Sequence, residues 1–417
     1  MRIVQRKKEM KILWFSNIIL SDQSMSDTGT WIGAMADSLV VYPEVELIII
    51  TKDTIKKTKQ IDYKGIKQWV LPDVKFDKKG LPPISIIKQI QKLVKDINPD
   101  LIHVWGTEYY WSRLTAYGFI QGKVLLEMQG LISAIAEKVT ADLSIKELTQ
   151  CFGIKELLKP SSSILGRQKV LKNRGEIEKK IIARHQYIST QSEWMRAHIS
   201  YINPKATVFK TAIGLRSEFI NSIKWVYENC EKNTILTITS TLSAYKGLHT
   251  LIKAFSLLTR TNHEAFLYIA GPKPIKGIRQ PGYERFLMNI IRKENIQNKI
   301  KWLGPLNTNE LIAQILKANV VINPSFIESY SLVVKESLSL GAPTIAAYAG
   351  AMPELAIDKQ SALFFPPGDV ALCYTALNNT LESRDLSTLL SQNALIGNEN
   401  IIIAEIQYNI YQKILKN

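Results

Sequence analysis

The sequence predicts an α/β fold of two similar halves, each a parallel sheet wrapped by helices, and three observations lead there. From Lys11 onward short apolar runs alternate with amphipathic stretches, the pattern of βαβ units. After a less regular stretch over residues 131–185, the same alternation restarts at TILTITS, 234–240. The chain has 417 residues, and at roughly 150 residues per domain that is room for two or three domains with sizeable cores.

Residues 1–9 carry Arg2, Arg6, Lys7 and Lys8 ahead of Met10; they are either a non-structural extension or a misplaced start. A basic start before an apolar run looks like a secretory leader, but Ser16, Asn17, Ser21 and Asp22 interrupt the run. KILWFSN is therefore read as a buried first strand over 12–17. A helix near 30–41, a strand at 46–51, a helix near 84–97 and strands at 100–105 and 123–128 follow. Strand-like ATVFKTAI, 206–213, closes a first domain of residues 1–213. GLRSEF then reads as a turn and the stretch from Trp225 to Lys232 as polar, which places a linker at 214–232. The second domain, 233–390, continues through FLYIAG, IKWLG, VVINPS, TIAAY and ALFFPP, and residues 391–417 end in a last helix.

With 46% apolar and 22% charged residues the composition is that of a globular chain, which excludes disordered and fibrous classes. No window holds the roughly 18 uninterrupted apolar residues of a membrane-spanning helix. Cys151, Cys230 and Cys373 are far apart and without CxxC spacing, so they are read as packing residues in a reducing compartment. A net charge of +16 favours anionic partners. Residues 152–216 hold 13 Lys and Arg against 4 Glu and no Asp; this segment is either an anionic-membrane docking surface or a solvated basic face. No nucleic-acid recognition motif appears, and nucleic acid is not an expected partner.

The most informative window is VVINPSFIESYSLVVKESLSLGAP, 320–343. An apolar strand ends at Pro324, a loop carries Glu328, and Ser329 or Ser331 can cap a helix that Gly341 and Pro343 stop. The unpaired N–H groups and partial positive charge of such a helix start would stabilise a diphosphate over Ser329, Tyr330, Ser331 and Leu332. Glu336 lies five residues past Ser331, about 7 to 8 Å along the axis at 1.5 Å per residue, which suits a ribose next to that diphosphate. Glu328, ahead of the helix, could accept hydroxyls of a sugar on the other side.

Glu328 and Glu336 in this context resemble the Glu-x7-Glu signature of the family 4 retaining glycosyltransferases. TSTLSAYKGLHTLIKAFSLL, 239–258, resembles the family's diphosphate-gripping loop, with Lys246 as its cation. Where the family usually has Gly-Arg this chain has Ser240-Thr241, so the Arg and Lys clamp is reduced to Lys246, with hydroxyls in place of a guanidinium. Gly29-Thr30, before a helix, resembles the small-residue loop that faces the donor phosphates. VLLEMQGL, 124–131, places Gln129-Gly130 where many members have a sugar-contacting histidine; Gln129 can hydrogen-bond a sugar but cannot act as an acid. DLIHVWGTE, 100–108, ends at the edge where open α/β sheets bind ligands. Glu108, with Trp105, Tyr109, Tyr110 and Trp111, forms an aromatic and acidic cluster suited to sugars, or else a half-buried aromatic patch. His103 is read as a core histidine.

The fold implied is GT-B, two Rossmann-like domains facing each other across a deep cleft, with the last helix crossing back to the first. The activity implied is retaining, metal-independent transfer of a hexose-like sugar, with Glu328 and Lys246 as the catalytic pair. The sugar would pass from a nucleoside-diphosphate donor to a saccharide or lipid-linked acceptor in surface-polysaccharide biosynthesis. No cofactor or metal is expected, and the place implied is the cytoplasm, or the inner face of the cytoplasmic membrane. A sugar-nucleotide epimerase of the same fold and a non-catalytic nucleotide-sugar or polysaccharide binder are the alternatives.

Overall fold

The computed structural model describes residues 10–21, 30–77, 79–396 and 403–416. The described residues group into two compact units: those within 10–130, 177–216 and 403–416 in one, and those within 131–176 and 217–396 in the other.

The first unit is built on an eight-stranded sheet. Its strands are β1 (Met10–Phe15), β2 (Val45–Asp53), β3 (Lys59–Tyr63), β4 (Ile66–Pro72), β5 (Leu101–Trp105), β6 (Val124–Glu127), β7 (Tyr187–Thr190) and β8 (Thr207–Lys210). Their order is β3-β4-β2-β1-β5-β6-β7-β8, all pairs parallel except β3 with β4. That hairpin is absent from the expected element list. Its turn uses Lys64 and Gly65, both with positive φ, and β3 buries only Tyr63, with Ile61 half-buried and the rest exposed, which is too little apolar periodicity to stand out. Met10 is the first residue of β1; the residues before it lie outside the described ones. The helix Ile403–Lys416 packs here: Trp14 Nε1 donates to Tyr411 Oη at 2.9 Å, and His103 Nδ1 lies 2.8 Å from the same oxygen. His103 is fully buried, and burial lowers its pKa. It is a core histidine, as expected.

The second unit carries a six-stranded, all-parallel sheet in the order β11-β10-β9-β12-β13-β14. The strands are β9 (Glu231–Ile238), β10 (Phe266–Ala270), β11 (Ile300–Gly304), β12 (Ala318–Asn323), β13 (Thr344–Ala347) and β14 (Leu363–Phe365). β12 and β13 are buried along their whole length and read as mainly apolar runs, as expected of parallel strands covered on both faces.

Two features depart from the expected domain boundaries. Residues 131–176 pack with the second unit rather than within 1–213: His249 Nε2 lies 3.2 Å from the Ala141 carbonyl, Lys253 pairs with Glu147 at 2.6 Å, and Gly282 N–H donates to Glu156 at 3.0 Å. The expected linker 214–232 is also ordered into that unit. Phe219 and Trp225 are buried, and Trp225 donates its backbone N–H to Leu340 and its indole N–H to Ala318. The three cysteines are unpaired and buried, and no described helix is long and apolar enough to cross a membrane.

Candidate functional site

In the second sheet the strand order runs outward in opposite directions from β9 and β12, so the loops after these two adjacent strands leave a crevice at the carboxyl edge. Both sequence-predicted loops are there, one after β9 with Lys246 and one after β12 with Glu328.

The β9 loop is held by its own hydroxyls. Thr239 Oγ1 donates to the Thr241 carbonyl at 2.9 Å, and Thr241 Oγ1 lies 3.0 Å from Ser243 Oγ. Ser240 is exposed. A short turn, Ala244–Lys246, leads into Gly247, whose φ of +72° caps the helix Leu248–Thr261. A Cβ on Gly247 would lie 1.9 Å from the Pro324 carbonyl oxygen, so only glycine lets the β9 loop approach the β12 loop this closely. Phe326 N–H donates to the Tyr245 carbonyl at 2.8 Å and ties the two together.

The β12 loop ends in the cap the sequence offers. Ser331 is the residue used: its Oγ accepts the Val334 N–H at 3.3 Å and starts the helix Leu332–Ser339. Asn323 Nδ2 donates to that same hydroxyl at 2.9 Å, and Asn323 Oδ1 accepts the Ser325 N–H at 3.1 Å. Asn323 is a positioning residue that sequence reasoning missed, because its only mark is its place between an apolar strand and Pro324. Behind Glu328, Gly350 has φ +57° and a Cβ there would lie 2.1 Å from the Glu328 carbonyl oxygen; Ala351 N–H donates to that oxygen at 2.8 Å. The signal for this contact was the glycine in AYAGAMPEL, whose partner cannot be read from sequence.

The two loops bring Lys246 and Glu328 into direct contact, Nζ to Oε1 at 2.7 Å, with side chains only 17% and 15% exposed. Burial acts to lower the Lys246 pKa, but the Glu328 charge and hydrogen bond override it and raise the value. Glu336 is buried on the helix that Ser331 caps, and Ser329 is buried at its mouth. Lys335 Nζ stands 5.5 Å from the Tyr330 ring centre; burial lowers its pKa. The Tyr330 hydroxyl is pushed up by burial, with Glu354 adding to it.

The first-unit candidates gather at the carboxyl edge of β5 and β6. Gly106 has φ +89°, and a Cβ there would lie 2.0 Å from Glu108 Oε2 and 3.5 Å from Gln129 Oε1. Glu108 and Gln129 thus converge over one glycine, with Gly130 next in the chain. The reading of Tyr109, Tyr110 and Trp111 as a sugar-stacking surface needs correction: all three are buried, and they pack on one another, with Trp111 stacked on Phe15 at 5.1 Å. Their ring faces are used by the core. Thr30 begins the helix Thr30–Leu39, whereas Gly29 lies outside the described residues.

A buried carboxylate in VLLEMQGL also escaped notice. Glu127, at the end of β6, accepts hydrogen bonds from Ser189, Gln191 and Thr211, which lie in or just after β7 and β8. It joins three strand ends and so fixes the backbone that precedes Gln129. Among the described residues no group of three or more His, Cys, Asp or Glu could hold a metal ion. The arrangement offers instead a lysine and a capped helix start for an anion, with two carboxylates nearby in the chain for hydroxyls.

Residues 219–395 match the family described as glycosyl transferases group 1. A relative, the glycogen synthase of Mycobacterium tuberculosis, is 30% identical over 137 residues, 33% of this chain and 31% of that protein; the chain thus spans about a third of the relative it matches. Among solved structures, the sucrose-phosphate synthase of Thermosynechococcus elongatus superposes with a TM-score of 0.74 at 14% identity, over 98% of this chain and all of that one. Anabaena Alr3699/HepE in complex with UDP-glucose superposes with a TM-score of 0.66, also at 14% identity, over 98% and 100%. These likenesses show the fold: a GT-B-like α/β fold of two Rossmann-like domains, as the sequence predicts.

Proposed function

We infer that the chain is a retaining, metal-independent glycosyltransferase of the family 4 type. It moves a sugar from a nucleoside-diphosphate donor to a saccharide or lipid-linked acceptor, in surface-polysaccharide biosynthesis in the cytoplasm or at the inner face of the cytoplasmic membrane. The observation that carries this reading is the Lys246–Glu328 pair at the switch point of the second sheet, beside a helix start capped by Ser331. The match of residues 219–395 to a glycosyl transferase family supports it.

In this reading the donor diphosphate takes over Lys246 from Glu328 and rests on the N–H groups around Ser329 to Leu332, with Thr241 and Ser240 supplying hydroxyls. The freed Glu328 carboxylate accepts hydroxyls of the transferred sugar, and Glu336 accepts those of the ribose. As the glycosidic bond to the diphosphate breaks, charge builds on the leaving group where Lys246 and the helix start already stand, which lowers the barrier electrostatically. A donor phosphate oxygen takes the acceptor proton, so no protein nucleophile is needed. Glu108 and Gln129 serve the sugar and acceptor side.

Incubation with a panel of labelled UDP- and GDP-sugars tests this. Transfer, or slow hydrolysis with retention, supports the reading. Inversion at C2 without release of the nucleotide would make the chain an epimerase, and binding without turnover would make it a non-catalytic binder, the outcome to which Thr241 in place of an arginine points.

A further inference from the structure

The helix Ile154–Leu158 is inside out. Its buried position is Glu156, 2% exposed, while Leu157 and Leu158 are 68% and 72% exposed and Ile154 joins them on the outer side. Residues at i, i+3 and i+4 share one helix face, so Ile154, Leu157 and Leu158 form an apolar stripe toward solvent. The inversion has a cause in packing. Glu156 spends one oxygen on the Gly153 N–H at 2.9 Å and the other on the Gly282 N–H at 3.0 Å, at the start of the helix Gly282–Lys293. A carboxylate at a helix N-terminus is stabilised there, and anchoring it turns the leucines outward.

The stripe continues into its neighbours. Phe152 just before it and Leu165 just after it are also exposed. On the helix Ile164–Ile182, Leu165 shares a face with the exposed Lys169 one turn on, and Lys172 beyond it is paired with Glu137. A Cβ on Gly166 would lie 2.0 Å from the Pro160 carbonyl oxygen, so this helix starts close against the turn that ends the inverted one. Residues 152–174 contain six Lys and Arg and one acid, and that acid is the buried Glu156. The surface therefore presents apolar side chains beside Lys159 and Lys169, with the exposed carboxylates Glu137 and Glu176 at its far border, where Glu137 pairs with Lys172 at 3.6 Å.

We propose that Phe152, Ile154, Leu157, Leu158 and Leu165, with Lys159 and Lys169, form a docking surface for an anionic lipid bilayer. The leucines enter the acyl boundary and the lysines meet the phosphate headgroups. Charge complementarity selects this occupant, because a bilayer rich in anionic headgroups matches both halves of the pattern. The role of the surface, delivery of the site to a lipid-linked acceptor, rests on the proposed function; the binding itself is read without any substrate, so the two can fail separately.

The test is co-sedimentation of the full chain with phosphatidylcholine vesicles, with and without phosphatidylglycerol. Binding to the anionic vesicles, weakened by salt, is expected. Leu157→Ser with Leu158→Ser should reduce the partition by about tenfold or more, since both positions lose most of the apolar area they would bury in the acyl boundary. Lys159→Ala with Lys169→Ala should reduce it by about tenfold, and only on anionic vesicles. These positions are exposed, and circular dichroism checks that the variants fold. No vesicle binding, equal binding by the leucine variant, or equal binding to both vesicle types would overturn the proposal. So would self-association in light scattering that the leucine variant abolishes, which would give the surface to a second copy of the chain.

Discussion

Replacing Glu328 by glutamine keeps the shape of the side chain and removes its charge, which isolates the electrostatic part of the contact with Lys246. At 2.7 Å two unit charges attract by about 6 kcal/mol at an effective dielectric of about 20. Desolvation offsets most of this, and a pair so little exposed leaves a net loss of about 1–3 kcal/mol when one partner is neutralised. The pH dependence carries the sign. In the native chain the Lys246 pKa is raised above 10.5, so its stabilisation is complete below the unfolded value and lost as the pH rises through the folded one. In the variant the Glu328 contributions vanish and burial, the largest of the causes, is left to lower the pKa. The ammonium then costs stability at neutral pH, and that cost disappears as the pH rises. The stability gap between the two proteins should therefore narrow as the pH rises toward and past about 10.5, the ordinary lysine value. Urea unfolding of both across that range measures it. A gap that stays constant would refute the electrostatic account of the pair. Transfer at neutral pH should fall by about 10- to 150-fold, the equivalent of 1.5–3 kcal/mol for hydrogen bonds to a charged group.

Glu336→Ala should raise the dissociation constant for a UDP- or GDP-sugar by about tenfold or more by calorimetry, with little change in kcat at saturating donor; unchanged binding would remove Glu336 from the ribose. Gly247→Ala and Gly65→Ala both place alanine at positive φ, +72° and +85°, but only at Gly247 does the new Cβ meet backbone, at 1.9 Å, while nothing lies within 4 Å at Gly65. Gly65→Ala should cost about 1–2 kcal/mol in urea unfolding, the backbone strain alone. Gly247→Ala should cost clearly more and also lose transfer, because it pushes apart the loops that carry Lys246 and Glu328; equal costs would mean that the loops yield freely.

The legible part of the protein was local. Apolar runs such as VVINPS and TIAAY announce buried parallel strands because each strand is covered on both faces, and the order of those runs gives the doubly wound class. A helix cap at Ser329 or Ser331 and Gly341 as stop follow from backbone chemistry within one or two turns; the fold chose Ser331. The Glu328 and Glu336 spacing is likewise a property of one loop and one helix. The hairpin Lys59–Tyr63 with Ile66–Pro72 was missed because its solvent-facing edge strand has little apolar periodicity.

Tertiary structure decided everything that joins distant parts of the chain. The Lys246 to Glu328 contact spans 82 residues and exists because β9 and β12, far apart in sequence, are neighbours in the sheet. Asn323, Gly350 and Glu127 gain their roles only from partners that no spacing rule links to them. Residues 131–176 lie within the first half in sequence yet pack on the second unit, because Glu156 and Glu147 find their partners at Gly282 and Lys253. Sequence sets which groups need burial or charge compensation through short-range chemistry; the fold chooses which distant group satisfies each, and that choice turned Leu157 and Leu158 to the outside.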